Sequence, residues 1–205
     1  MGAHPVVTLA LVVANVVLFV VELSQGGQID AFVRRWGLVP ADVHDGPAAA
    51  AITLLTSTFL HAGWFHLAAN MIYLAVFGPP VERRLGPTRF LVLYVASGLI
   101  GSLAYVLVQP LSAAPAVGAS GAIAGVIAAF LVLFPGATLG SLAPVLFLHV
   151  VESTPTLLLL LLWLATQVFS SVASLTTATG IAWWAHLGGF ASGLVLAPVL
   201  RTRRS

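Results

Sequence analysis

Residues 88–109 read TRFLVLYVASGLIGSLAYVLVQ, a run of 22 amino acids whose only charged member is Arg89, at its second position. A helix needs about 20 apolar residues to cross the hydrocarbon core of a bilayer, so this run predicts a transmembrane helix. Five other runs come near this length: 5–23, 58–78, 118–134, 156–174 and 182–200. The sequence therefore predicts an all-α integral membrane protein, a compact bundle of six transmembrane helices that forms a single domain over residues 1–205.

The composition excludes a soluble globule. Sixty per cent of the residues are apolar and 7% are charged, whereas soluble domains carry about 25% charged residues. Too few charges remain to cover a surface that faces water, so we expect lipid to be the solvent. The chain has no cysteine, which excludes both a disulfide framework and a thiolate metal site.

The basic residues predict an orientation. All eight are arginine, and six of them form two short clusters: Arg83, Arg84, Arg89 and Arg201, Arg203, Arg204. With six crossings and a cytoplasmic N-terminus, the loop at 79–87 and the C-terminal tail both face the cytoplasm. Arginines concentrate on that side of membrane proteins, so span count and charge agree. Clusters at the ends of apolar runs do not form a basic face, and we expect no nucleic-acid partner.

Three other segments leave a choice of interpretation. A cleaved signal peptide is the alternative for Val6 to Val21, but only His4 precedes this run where a positive region is required. The run from Leu142 to Val151 is too short to span a bilayer and is interpreted as interfacial. The long connection at 24–57 mixes charged and aromatic residues, and we expect it to lie partly among the lipid headgroups.

Polar side chains are expensive inside a bilayer, so each one in a span needs an explanation. Ser120 lies in the sequence Gly118-Ala119-Ser120-Gly121, at the start of the fourth span. A serine that packs helices together is the simpler interpretation. However, the flanking glycines permit a close approach of another backbone. A residue at a helix N-terminus also has an unsatisfied N–H group, which is the donor that an oxyanion site requires.

His186 lies near the start of the sixth span, where a purely structural histidine is the alternative. Two stripes of small residues suggest where it points: Gly189 and Gly193 in the sixth span, and Gly121 and Gly125 in the fourth. Such stripes allow two membrane helices to pack closely. If these two stripes pack together, Ser120 and His186 meet at one depth. A neutral imidazole can then take the proton that a serine must lose to become a nucleophile.

A third motif, His61-x4-His66-x3-Asn70, lies at the start of the second span. His66 and Asn70 are four residues apart and share a helix face. The same spacing suits zinc ligands, but no carboxylate accompanies the pair, and we predict neither a metal site nor another cofactor. As neutral donors they suit an oxyanion, for which one donor is worth about 2.7–4 kcal/mol. With no carboxylate near Ser120 or His186 either, a Ser–His dyad is favoured over a triad.

The ordered set of motifs resembles the rhomboid family of intramembrane serine proteases. The residues that carry the resemblance are His61, His66 and Asn70, Glu82-Arg83-Arg84-Leu85-Gly86, Gly118-Ala119-Ser120-Gly121, Trp163 and Gln167, and Ala185-His186 with Gly189. The likeness extends from about residue 30 to residue 200. Each motif is weak alone, but their order on six spans is specific.

The resemblance implies an endopeptidase that cleaves transmembrane segments of single-span membrane proteins with a Ser120–His186 dyad. It implies an oxyanion pocket of His66, Asn70, Gly118 and the Ser120 N–H group, supported by His61, Gly121 and Gly189. Substrates would enter sideways, past the fifth span and the connection from Leu175 to Ile181. The site would open to the outer face of a bacterial inner membrane.

Two departures and two alternatives remain. The Trp-Arg pairing that some family members have in the long first connection appears here only as Arg34-Arg35-Trp36, so no role is assigned to it. Some family members have a tyrosine four residues after the nucleophile to support the histidine, where this chain has Ala124. Trp183 or Trp184 is the candidate replacement. A catalytically inactive relative that binds membrane helices is the first alternative, although it would typically lack Ser120 or His186. A small channel or transporter lined by polar residues is the second. The oligomeric state is not predicted.

Overall fold

A computed structural model describes residues 4–43, 46–138, 155–176 and 181–201. The helices in these ranges are α1 (Val6–Ser24), α2 (Ile29–Trp36), α3 (Pro47–Thr56), α4 (Trp64–Leu85), α5 (Pro87–Val108), α6 (Ser120–Leu133), α7 (Thr156–Ala173) and α8 (Trp183–Leu200). Within the described ranges, extended backbone pairs only at isolated bridges, such as Leu38 with Ala116. The prediction of an all-α membrane bundle is confirmed.

Helix length separates the spans into two kinds. Helices α1, α5, α7 and α8 are each long and apolar enough to cross a bilayer, and α4 joins them as one arm of a span bent by 88°. Helix α6 has 14 residues, about 21 Å at 1.5 Å per residue, whereas the hydrocarbon core is about 30 Å thick. Its residues from Gly121 to Phe130 are all buried. The short helix is therefore the centre of the bundle.

The predicted second span, 58–78, was wrong at both ends. A 3₁₀ turn at Ser57–Phe59 and a break precede α4, whose N-cap Gly63 has φ 149°, in a region that only glycine adopts readily. At the other end Pro79 and Pro80 lie inside the helix, which continues to Leu85. Membrane helices tolerate proline because neighbouring groups satisfy the freed carbonyls. The expected cytoplasmic loop at 79–87 is therefore mostly helix.

The long connection at 24–57 contains the two short helices α2 and α3. At the end of α2 the guanidinium of Arg35 lies 5.4 Å from the centroid of the Trp36 ring. The Thr56 hydroxyl donates a hydrogen bond of 2.6 Å to the Trp36 carbonyl, which joins the two short helices. The run from Leu142 to Val151 and the middle of the connection from Leu175 to Ile181 lie outside the described residues.

A buried carboxylate fixes the start of α1. Glu82, in the last turn of α4, accepts hydrogen bonds from the Val7 N–H at 2.9 Å, the Thr8 N–H at 2.7 Å and the Thr8 hydroxyl at 2.7 Å. The first N–H groups of a helix have no partner within the helix, and a carboxylate satisfies them while facing the positive end of the dipole. This contact places the start of α1 and the end of α4 at the same end of the bundle.

Helices α6 and α8 touch through their glycines, which we call the glycine seam: Gly121, Gly125, Gly189 and Gly193. A Cβ added to Gly189 would overlap the Gly121 carbonyl, and one added to Gly193 would overlap the Gly125 carbonyl. On its other side α8 meets α5, where a Cβ on Gly188 would lie 2.5 Å from the Ala104 Cβ. Backbone therefore packs on backbone, and the seam fixes the relative height of α6 and α8.

Helix α7 is packed far less closely. Its leucines at 157, 158, 159, 161 and 162 are all exposed at the surface of the bundle, where lipid would cover them. The buried residues of α7 are Thr156, Leu160, Gln167 and Ser171. This helix therefore contacts the bundle through a single narrow stripe.

Candidate active site

The nucleophile candidate and the base candidate are in direct contact. The Ser120 Oγ lies 2.7 Å from the His186 Nε2. Ser120 is the first residue of α6, and His186 lies in the first turn of α8. Gly121, one residue after Ser120, packs on Gly189, three residues after His186. The glycine seam therefore holds the two side chains at one level. The structure thus brings together two residues that are 66 positions apart.

A third side chain orients the imidazole. The His186 Nδ1 lies 2.7 Å from the Gln167 Oε1, and Gln167 is buried in α7. An amide oxygen can only accept, so we assign the imidazole proton to Nδ1. The lone pair of Nε2 then faces the Ser120 hydroxyl, which is the arrangement that a general base requires. The sequence identified Gln167 through the resemblance but gave it no role.

An aromatic ring completes the support of His186. The Trp183 ring stands edge-on to the imidazole, with centroids 5.6 Å apart and planes at 83°. Ala124, where some family members have a tyrosine, is fully buried within α6. Of the two tryptophans considered from the sequence, Trp183 makes this contact. The imidazole is therefore held by one hydrogen bond from α7 and one ring from its own helix.

The donors proposed for an oxyanion converge beside Ser120. The His66 Nδ1 accepts the Ala62 N–H at 3.4 Å, which leaves the proton on Nε2. The Asn70 Nδ2 is buried and has no hydrogen-bond partner among the described residues. A Cβ added to Gly118 would lie 2.7 Å from the His66 Nε2 and 3.6 Å from the Asn70 Nδ2. Both side chains thus face the backbone two residues before Ser120.

Gly118 contributes space rather than a donor. Its N–H group donates to the Ser57 carbonyl at 2.9 Å, so this group is already paired. Its φ of 123° and the nearby His66 ring both exclude a larger residue. The Ser120 N–H, in contrast, begins α6 and makes no hydrogen bond within the described part of the chain. The available donors are therefore the Ser120 N–H, the His66 Nε2 and the Asn70 Nδ2.

These groups face one cavity of about 530 Å³. Its polar lining includes His66, Asn70, Ser120, Gln167 and His186. Its apolar lining includes Ile123, Ile127, Trp163 and Trp183. Helix α6 is shorter than the hydrocarbon core is thick, so it cannot reach both membrane surfaces, and the cavity meets this helix at its Ser120 end. A cavity with this lining can hold both water and an apolar chain.

His61 lies behind the cavity rather than in it. Its side chain is 1% exposed, and its backbone N–H donates to the Glu22 Oε2 at 3.0 Å. Sequence reasoning missed Glu22, although an acidic residue near the end of the first span, at the same level as His61, was a usable signal. Among the described residues no group of three or more His, Asp or Glu side chains is arranged to hold a metal ion.

Fold and site together define a class: a polytopic helical membrane protein with a serine–histidine pair in a cavity inside the bundle. A family model for the Rhomboid domain matches residues 48–203. That range covers more than half of the chain, and the chain belongs to the rhomboid family.

Individual relatives all have rhomboid names, of which one describes a protease and one an inactive protein. Rhomboid protease GluP of Bacillus subtilis (strain 168) is 46% identical over 78 residues, which are 38% of this chain and 15% of that protein. RHOMBOID-like protein 12, mitochondrial, of Arabidopsis thaliana is 28% identical over 214 residues, 97% of this chain and 59% of that protein. Inactive rhomboid protein 1 of Drosophila melanogaster is 38% identical over 112 residues, 55% of this chain and 8% of that protein. The chain spans less than two thirds of each relative.

Proposed function

We propose that this protein is an intramembrane serine endopeptidase that cleaves transmembrane segments of single-span membrane proteins. The observation that carries the proposal is the chain of hydrogen bonds from Ser120 through His186 to Gln167. It supplies a nucleophile, a base and a group that orients the base, which are the parts that covalent acyl transfer needs. The name of one matched relative, a rhomboid protease, agrees with this chemistry.

The geometry supports a two-stage reaction. His186 accepts the Ser120 proton at Nε2 as Oγ attacks the scissile carbonyl, and the oxygen of the tetrahedral intermediate takes hydrogen bonds from the Ser120 N–H, His66 and Asn70. The imidazolium then gives its proton to the leaving amine, which departs and leaves an acyl-serine. A water molecule attacks this ester with His186 again as base. The products are a new carboxyl terminus and the regenerated serine.

The charges support an orientation in the membrane. Arg83, Arg84 and Arg201 lie at the far ends of helices α4 and α8, which begin beside the cavity. Arginine-rich ends face the cytoplasm. The cavity would then open to the outer face of a bacterial inner membrane, with both termini in the cytoplasm.

Cleavage of a defined substrate tests the proposal. Purified protein in liposomes, with a tagged single-span substrate, should yield a cut within or just outside the membrane. Ser120→Ala and His186→Ala should each abolish the cut, because neither half of the dyad works alone. Ser24→Ala is the matched control, a serine at the same end of the bundle that does not line the cavity. Cleavage that survives either dyad substitution rules the dyad out.

Covalent labelling gives a second readout that needs no substrate. A fluorophosphonate should form a bond from Ser120 Oγ to phosphorus and release fluoride, and the label should be absent in His186→Ala. A chelator should change neither labelling nor cleavage. Inhibition by the chelator would restore the metal interpretation of His66.

An inactive helix-binding protein is the second candidate, because one matched relative is an inactive rhomboid protein. This candidate predicts that the wild type and Ser120→Ala bind a single-span helix equally well and that neither cleaves it. A polar-lined channel predicts only a graded loss of transport in Ser120→Ala.

A further inference from the structure

Glu22 is a buried acid that the proposed reaction does not use. It lies in the last turn of α1, is 1% exposed and lines no part of the cavity. Its Oε2 accepts the His61 N–H at 3.0 Å. A buried backbone N–H group that loses its acceptor is costly, so this contact holds His61 in place. The acid therefore fixes a point of the backbone that lies just before α4.

That point belongs to a short segment that we call the strap, residues 60–63, between the 3₁₀ turn and α4. Two successive N–H groups of the strap have different partners. The His61 N–H donates to Glu22 on α1, and the Ala62 N–H donates to the Nδ1 of His66. The second of these bonds assigns the proton of His66 to Nε2, the atom that faces the cavity. The strap thus connects α1 to the oxyanion donor.

Ring contacts reinforce the same connection. The His61 imidazole lies between Phe19 of α1, at a centroid distance of 6.4 Å, and the His66 ring, at 5.2 Å. Phe19 and Glu22 are three residues apart and therefore share a face of α1. Phe19 also packs edge-on against Trp64, the first residue of α4, at 5.0 Å. One face of α1 therefore contacts both His61 of the strap and Trp64, the residue that follows the strap.

We propose that Glu22 is a positioning residue for the oxyanion pocket. It holds the strap so that the Ala62 N–H occupies the His66 Nδ1 and leaves Nε2–H as the donor for the developing oxyanion. The inference rests on the proposed protease function, which it extends to a helix that supplies no residue to the cavity. Glu22 touches no reacting atom, so it acts on catalysis through His66.

A set of isosteric variants tests the role of Glu22. Glu22→Gln keeps an acceptor at the same reach and should retain kcat within about twofold. Glu22→Leu leaves the His61 N–H buried without a partner. Because an unpaired buried N–H group is costly, we expect the strap to move away from its wild-type position. We expect kcat to fall by about 10- to 100-fold with KM unchanged. This decrease does not exceed the decrease in kcat of about 100- to 1000-fold that follows removal of one oxyanion donor. If Glu22→Leu does not fold, Glu22→Asp, whose carboxylate is one methylene shorter, carries the test with a smaller loss.

Glu82→Leu is the matched control, because Glu82 is an equally buried acid, 2% exposed, that contacts the other end of α1. It should lower the unfolding temperature and leave the kcat of the folded protein unchanged. Nitrogen-15 NMR of labelled histidine gives a structural readout. The resonances that disappear in His66→Ala should report an Nε2–H imidazole in the wild type, Glu22→Gln and Glu82→Leu, and a mixture of tautomers in Glu22→Leu.

A double-mutant cycle decides whether Glu22 acts through His66. In a His66→Ala background, Glu22→Leu should cause no further loss of kcat. A further loss as large as in the wild type would overturn the inference, as would unchanged kcat and unchanged resonances in Glu22→Leu. A wild type that does not cleave would overturn the protease proposal instead, and the NMR comparison would still test the coupling of Glu22 to His66.

Discussion

Two regions position His186 in different ways: the tightly packed pair α6–α8 and the loosely packed helix α7. Across the glycine seam, backbone meets backbone and the contact leaves no room for a methyl group. Helix α7 exposes most of its leucines and reaches the site through Gln167. The comparison indicates that the Ser120–His186 distance is set by a close backbone contact, whereas the orientation of the imidazole depends in part on a helix that is packed on one narrow stripe.

The strongest way to break this contrast is to widen the seam. Gly189→Val adds a side chain where even a Cβ overlaps the Gly121 carbonyl, so α8 must separate from α6. Overpacking of this kind costs about 1–3 kcal/mol or more, and we expect cleavage to be lost and the unfolding temperature to fall. Ala191→Val is the matched control, because Ala191 lies on the exposed side of α8. Cleavage by Gly189→Val near the wild-type rate would show that the seam does not set the geometry.

Removal of the α7 contact should have a smaller and different effect. Gln167→Leu deletes the acceptor for the His186 Nδ1 and leaves the seam intact. The imidazole loses its preferred orientation, and misplacement of a catalytic group costs about 100-fold in rate. We expect kcat to fall by that factor, with little change in KM or in the unfolding temperature. Val168→Leu, one residue along α7 and exposed, should match the wild type. An unchanged kcat in Gln167→Leu would assign the orientation of His186 to Trp183 alone.

The smallest effect on cleavage concerns the two faces of α7, where the contrast is one of stability. Leu160 is 1% exposed and Leu162 is 65% exposed. Leu160→Ala removes buried packing, for which the loss is about 2–5 kcal/mol, and should lower the unfolding temperature in lipid. Leu162→Ala should leave it unchanged, because lipid contacts that face in the wild type and in the variant. Equal effects of the two substitutions would indicate that α7 is packed on both faces.

Much of the architecture could be predicted from the sequence because lipid imposes simple rules. The apolar runs gave α1, α5, α7 and α8 to within a residue or two at each end. The glycine stripes at 121–125 and 189–193 predicted the helix pair that brings Ser120 to His186. Local spacing also placed His66 and Asn70 on one face of α4.

Other features depended on contacts that spacing does not encode. The break before α4 requires the conformation of Gly63, and Pro79 and Pro80 continue the helix only because its surroundings tolerate them. The role of Gln167 follows from the rotation of α7 about its axis, which an even run of leucines leaves undetermined. Glu22 was overlooked because its partner is a backbone N–H group, which every residue except proline carries.

The glycine seam also has a consequence for how this protein can diverge. At Gly189 and Gly193 no side chain larger than hydrogen fits, so a substitution at either position would disrupt the packing. The exposed leucines of α7 can be replaced by other apolar residues. The two regions on either side of His186, the glycine seam and α7, would therefore differ in how fast their sequences change. Among related sequences, we expect the exposed residues of α7 to vary and the glycines of the seam to stay the same.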